Sequence, residues 1–307
     1  MSSVASGRRH AGKGRQDASF PKTTRPPAQQ RREAGAQIGN GAPVHRRTFD
    51  AFPDRVDIRD WIYQPHLRSL PDQLINCDSV PAILDQGREG ACTGFALAAA
   101  INYQLYRRNL RRAVSPRMLY EMARRYDEWP GEQYEGSSAR GAMKGWVAHG
   151  VCAHATWMDD LHGAENLKPE IAAEARGMPG GAYYRVAHKQ IRDMHAALAE
   201  TGILYATLMV HEGWFQPGED EVKITYVEHG NVRTRLFPII KRKGRADNGH
   251  AIAIVGYTSD GFIVQNSWGL DWGAGDPPPD PRSNQTPGAI ETSSEAISGS
   301  MNRRSNV

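Results

Sequence analysis

The stretch that most limits what this chain can become is Gln86-Gly87-Arg88-Glu89-Gly90-Ala91-Cys92-Thr93-Gly94-Phe95-Ala96, a glycine-rich turn with a cysteine set before an apolar run. Leu97, Ile101 and Leu105 recur at helical spacing and alanines fill the flanks, which predicts a buried helix opening at the cysteine. The N–H groups of a first turn have no partner inside the helix, and the macrodipole adds partial positive charge there. A cysteine at that position is expected to favour thiolate over thiol. A buried structural cysteine satisfies the same pattern, so other residues have to decide.

Two distant stretches bear on the choice. Asn248-Gly249-His250-Ala251-Ile252-Ala253-Ile254-Val255-Gly256-Tyr257 sets a histidine at the head of an apolar strand. Ile263-Val264-Gln265-Asn266-Ser267-Trp268-Gly269 ends the next strand in an asparagine followed by a tryptophan. Thr258-Ser259-Asp260-Gly261 reads as a hairpin-type turn between them, which brings His250 and Asn266 close in space. Gln86, Cys92, His250 and Asn266, in that order and each in its local setting, resemble the papain-like cysteine peptidases over residues 55–273.

The resemblance implies an α+β, two-lobed fold, a helical lobe and an antiparallel β-barrel lobe with the active-site cleft between them. It implies Cys92 as nucleophile, His250 as proton carrier and Asn266 as the orienting third member. The Gln86 side-chain amide, with the Cys92 backbone N–H, would form the oxyanion hole, and Trp268 would cover the His–Asn bond. Gly136 and Ser137 match, loosely, the backbone edge that lines the substrate cleft. The implied reaction is peptide hydrolysis through a thiolate–imidazolium pair and an acyl-enzyme, with no cofactor. Peptide or protein is the implied partner.

Several positions depart from the family pattern. Thr93 follows the cysteine where tryptophan is common, and Glu89 stands where a disulfide cysteine is often found. Cys92 and His250 are 158 residues apart, against ~130–150 in the family, and the charged stretch Glu212 to Arg245 reads as the insertion responsible. After Trp272-Gly273 the chain turns to Pro277-Pro278-Pro279-Asp280-Pro281, which lacks ladder donors where a closing strand belongs. Residues 277–307 are therefore expected to be irregular, with another segment closing the barrel or a strand missing. The same thiol chemistry leaves a transamidase or deamidase open, and the odd end leaves open an inactive, binding-only or truncated relative.

Composition and charge bound the rest. Residues 1–50 hold ten Lys and Arg against three acidic residues, a net of +7, while the remainder holds 28 against 31, a net of −3. With no helical or strand period and much Gly, Pro, Ser and Gln, residues 1–50 read as a disordered basic tail. Nucleic acid is a partner only through that tail. It lacks the apolar core of a signal peptide and the long helical pattern of an inhibitory pro-region, and no segment has membrane-spanning length. Three cysteines, Cys77, Cys92 and Cys152, make no disulfide framework, so the expected compartment is cytoplasmic, with export by another route left open. No CxxC or HExxH spacing suggests a metal.

The peptidase domain is assigned to residues 51–276, with the helical lobe over 77–185 and the barrel lobe over 186–276. Ser115-Pro116 and Gly136-Ser137-Ser138 each open a helix, the second stopping at Gly150. Pro169 to Arg176 reads as a short helix, and His188 to Glu200 as an amphipathic one stopped by Gly202. Ile203 to Val210 reads as a buried strand and 224–236 as a hairpin about His229-Gly230-Asn231. Thr207 and Leu208 are candidates for the cleft wall.

Overall fold

The cysteine-headed run folds as helix α1, Cys92–Arg107, and the rest of the protein packs on two of its faces. The computed structural model describes residues 48–52, 54, 57–76, 83–127, 135–218, 220–228, 230–273 and 289–291. The basic segment 1–47, Cys77 and the proline-rich 277–281 lie outside the described residues.

One face of α1, through Leu97 and Ile101, joins a core with Met118, Leu119 and Met122 of helix α2, Pro116–Arg125. The alanines on its flanks keep the helices close, and Trp157 fills the space beneath. Ser115 caps α2, its hydroxyl oxygen accepting from Met118 N–H at 2.9 Å while the hydroxyl donates to the Trp157 carbonyl at 2.6 Å. Helix α3, Ala139–His149, is capped by Ser138 in the same way and ends at Gly150. The short helix α4 spans Pro169–Ala175.

The other face of α1, through Ala99 and Tyr103, lies on a sheet with Ile203, Phe237, Val255 and Ile263. Its spine is strand β7, Asn248–Tyr257, whose near-unbroken burial explains the continuous apolar sequence. Antiparallel partners flank it: β4, Leu204–Val210, with Leu208 opposite His250; β2, Leu74–Ile75; and β8, Phe262–Gln265. Helix α5, Ile191–Thr201, stops at left-handed Gly202 and contributes Met194 and Leu198 to the core under the sheet. The charged insertion forms a long hairpin, β5 (Glu221–Glu228) and β6 (Asn231–Ile240).

Among the described residues the antiparallel sheet of this lobe does not close into a barrel. Strand β9, Ala289–Glu291, pairs antiparallel with β8 and parallel with β6, and the sheet order runs β2-β7-β8-β9-β6-β5 with β4 beside β7. Among the described residues nothing joins β4 back to β5, so the sheet stays open. A strand thus exists inside the stretch read as irregular: the prolines bar pairing only where they stand, and Ala289-Ile290-Glu291 lies beyond them. Among the described residues no helix is long and apolar enough to cross a membrane.

Replacing Ser115 by alanine leaves a buried N–H and a buried carbonyl without partners. Ser115→Ala is expected to lower the unfolding free energy by about 2 kcal/mol, read as a lower urea midpoint at unchanged slope.

Candidate active site

Cys92 is the first residue of α1 and is fully buried. Ala91 before it makes no side-chain cap bond, so no side chain competes for the first-turn N–H groups. Its side chain packs against Ala251, the neighbour of His250, whose backbone N–H favours the thiolate. The helix start therefore faces the head of β7.

His250 is also fully buried, ringed by Trp268 (centroid separation 5.0 Å) and Trp214 (6.3 Å). Its Nε2 lies 2.8 Å from Asn266 Oδ1. The same oxygen accepts the Ser267 backbone N–H at 2.8 Å, which fixes which way the amide is turned. An oxygen cannot donate, so His250 carries its proton on Nε2, and in the neutral ring Nδ1 is the basic nitrogen.

Gln86 joins this group from the turn before α1. Its backbone N–H donates to the Ser267 carbonyl at 2.9 Å, and its Oε1 accepts the Ser267 hydroxyl at 2.7 Å. Its Nε2 donates to the Glu89 carbonyl at 2.9 Å, and an amide nitrogen has a second N–H to give. Ser267 was not singled out in the sequence, although it stands between the asparagine and the tryptophan; a serine beside two stronger signals offers no pattern of its own.

The chain's own residues 48–52 run through the cleft. Asp50 bridges to Gly249, and β1, Ala51–Phe52, pairs in parallel with β3, Ser137–Ser138. Phe49 sits edge-on to His250, Trp268 and Phe215, with centroids 5.7, 5.6 and 5.5 Å away. A Cβ added at Gly136 would strike the Asp50 backbone, and one at Gly249 the Ala51 carbonyl, so both walls are glycine where the strap lies against them. Asp54 and Asp60 tie its far end down. Arg140 pairs with Asp60, its Nη2 at 2.6 Å, and Arg185 Nε donates to the same carboxylate at 2.8 Å. The Arg140 bond holds the Asp60 carboxyl below the ordinary carboxylate range despite burial, with Arg185 adding to the effect. That contribution is present above the ordinary carboxylate pKa and is lost as acid protonates Asp60.

This strap reverses the expectation for Cys92. Ala51, Ala96 and Ala251 pack around it, and burial pushes the thiol up to about 12, the Ala251 N–H only partly offsetting it and the nearby Asp50 charge adding to the rise. Desolvation outweighs the helix end while the cleft is covered. Gly136 and Ser137 do stand at the cleft, against the strap; the Ser137 hydroxyl is 2.5 Å from that of Thr93. Thr207 lines a cavity of about 350 Å³ with Arg140, Met143, Tyr183 and Tyr205, whereas Leu208 is a core residue.

The model of the papain family cysteine proteases matches residues 71–276. The chain belongs to that family. An uncharacterized peptidase C1-like protein of Acanthamoeba polyphaga mimivirus is 25% identical over 202 residues, which is 62% of this chain and 61% of that protein. Among solved structures, xylellain, a cysteine protease from Xylella fastidiosa, superposes with a TM-score of 0.60 at 24% identity, over 81% of this chain and 91% of that one. Digestive procathepsin L 3 of the Tenebrio molitor larval midgut gives 0.56 at 16%, over 83% and 73%. These structures share the papain-like fold.

With the cleft covered, alkylation of Cys92 by iodoacetamide should climb with pH and show no plateau near neutrality. Gly136→Ala and Phe49→Ala each destabilise the strap, the first by driving a Cβ into the Asp50 backbone, the second by removing the aromatic side chain that seats the strap in the core cluster with Trp268. Each should raise the neutral-pH alkylation rate by roughly tenfold or more, the equivalent of losing one buried aromatic side chain. Unchanged rates in both would show that the strap does not control access.

Proposed function

We propose that the protein is a cysteine peptidase that cleaves peptide bonds with Cys92 and His250 once residues 48–52 have left the cleft. The observation that carries the reading is the Asn266 Oδ1 contact, which sets the proton on His250 Nε2 and leaves Nδ1 basic. In the opened cleft the Cys92 thiol gives its proton to Nδ1, and the thiolate attacks the peptide carbonyl. Gln86 Nε2 and the Cys92 backbone N–H are the donors for the oxyanion. His250 then protonates the leaving amine, and an acyl-cysteine remains. Water, deprotonated by His250, releases the acid and restores the thiol.

An amine acceptor in place of water would give transamidation, and nothing in the site favours it. Complete burial of Cys92 is the one observation on the side of an inert, binding-only protein. Free, buried Cys92 and Cys152 suit a reducing, cytoplasmic setting.

A peptide-library digest read by mass spectrometry separates these readings. Phe49→Ala is expected to cleave faster than the native chain, and Phe49→Ala with Cys92→Ser not at all. In the Phe49→Ala background, Gln86→Ala should cost roughly 10²–10³ in kcat, as loss of one oxyanion donor does. A Phe49→Ala protein that alkylates readily at neutral pH yet hydrolyses no peptide would establish the inert reading instead.

A further inference from the structure

Arg117 occupies an unfavourable place. It is the second residue of α2, where the helix dipole disfavours a cation, and it is only 3% exposed. A guanidinium buried there must be held by partners. Arg117 Nε donates to the Asp159 carbonyl at 2.9 Å, Nη1 lies 3.7 Å from Glu121 Oε1, and Nη2 reaches Glu89 Oε2 at 2.6 Å. Glu121 in turn accepts the Gly163 N–H at 3.0 Å. The charge is thus anchored in the helical lobe by groups other than Glu89.

Glu89 is the exception in this set, because it stands in the turn before the nucleophile, where the family often has a disulfide cysteine. That turn is pliable, with glycines at 87 and 90 and Gly87 at φ +63°. The Glu89 carbonyl accepts one N–H of Gln86, and Ser267 holds the other end of the same amide. A planar amide pinned at its oxygen and at one N–H has the direction of its second N–H fixed. Where the Glu89 carbonyl sits therefore decides where that second N–H points.

We infer that Arg117, acting through Glu89, is a positioning residue for the oxyanion donor Gln86. The inference rests on the peptidase reading for its kinetic consequence, but not for the geometry. Arg117 holds the Glu89 carboxylate, the carboxylate holds the turn, and the turn holds the amide. An ion pair performs here the anchoring that a covalent link performs where a cysteine occupies that position.

The test uses the full chain and three readouts. The first is solvent exchange of the Gln86 side-chain amide, followed by NMR and assigned by its absence in Gln86→Ala. The second is kcat and KM on a peptide substrate, measured with every variant in the Phe49→Ala background. The third is Cys92 alkylation by iodoacetamide, a displacement at saturated carbon that forms no oxyanion. Glu89→Ala is expected to speed the amide exchange and to lower kcat on the order of tenfold, a fraction of the loss for deleting the donor, with KM and alkylation unchanged. Glu89→Gln, which can still accept from Arg117, should recover most of both losses. In a Gln86→Ala background, Glu89→Ala should have no further effect on kcat.

Three results would overturn the inference: unchanged amide exchange in Glu89→Ala, a parallel fall in alkylation, or additive losses with Gln86→Ala. A Phe49→Ala chain that alkylates readily yet turns over no peptide would sink the peptidase reading alone, and the amide exchange would still decide whether Arg117 positions Gln86. Should Glu89→Ala fail to fold, Arg117→Lys, which keeps the charge and loses the fork, supplies the same comparison.

Discussion

Asn266 Oδ1 is the atom on which the site depends. It accepts two N–H groups, one from its own successor in the chain and one from His250. The first of these bonds is local and cannot be satisfied with the amide reversed, so the second is determined by it. Both lie out of water, where a hydrogen bond is stronger and an unmade one costlier. The same short segment then reaches the other lobe, since Ser267 bonds Gln86 through main chain and side chain. Asp85 bridges to Trp268, and Gly269 N–H donates to the Leu84 carbonyl. The orientations of the His250 imidazole and the Gln86 amide are therefore both set by one stretch, Asn266 to Gly269, and the two lobes keep register through it.

Cys92 shows how far one residue's chemistry depends on what covers it. The helix start and three backbone N–H groups favour a thiolate; burial under Ala51 and the neighbouring Asp50 charge oppose it, and burial wins. The cover is held modestly. It includes a two-residue ladder, the Asp50–Gly249 bridge, the Thr48 N–H to Arg88 carbonyl bond, the Phe49 and Ala51 side chains, and an ionic tie at Asp54 and Asp60. Burying Phe49 is worth about 1.5–3 kcal/mol, well below the ~5–15 kcal/mol that hold a domain together. The proposed activity needs the strap to leave while the lobes stay folded, and the glycines at 136 and 249 would leave no side chain in its place.

Much of this was legible in the sequence because the determining signals are local. Ser115-Pro116 and Ser138 are caps whose bonds lie within three residues, Gly202 is a left-handed stop, and the apolar runs of α1 and β7 report burial directly. Gln86, Cys92, His250 and Asn266 each carry a distinctive neighbourhood. What the sequence concealed is pairing at long range. Nothing in Thr48 to Phe52 marks it as a partner of Ser137 and Gly249, because backbone-to-backbone contact leaves no signature except the glycines opposite. Arg117 offers no signal in the sequence and Glu89 only a departure from the family pattern; the fold shows them 2.6 Å apart with the arginine buried. β9 was missed because the prolines before it masked a three-residue strand.

The choice of an ion pair at Glu89 has its own physical logic. A disulfide three residues from a nucleophilic cysteine lies within reach of thiol–disulfide exchange, which proceeds by attack of a thiolate on a disulfide sulfur. Cys92 and Cys152 are both free, and in the reducing setting proposed above a cross-link could not be relied on to hold the turn. A carboxylate and a guanidinium need no oxidant and do not exchange with the nucleophile. Their weakness is water, which competes for both groups, and the fold answers it by burying the arginine almost completely while leaving the glutamate partly exposed. The desolvated partner is the one with other anchors, a hydrogen bond to the Asp159 carbonyl and the Glu121 carboxylate 3.7 Å away, so the buried charge keeps an opposite charge beside it even as the turn moves.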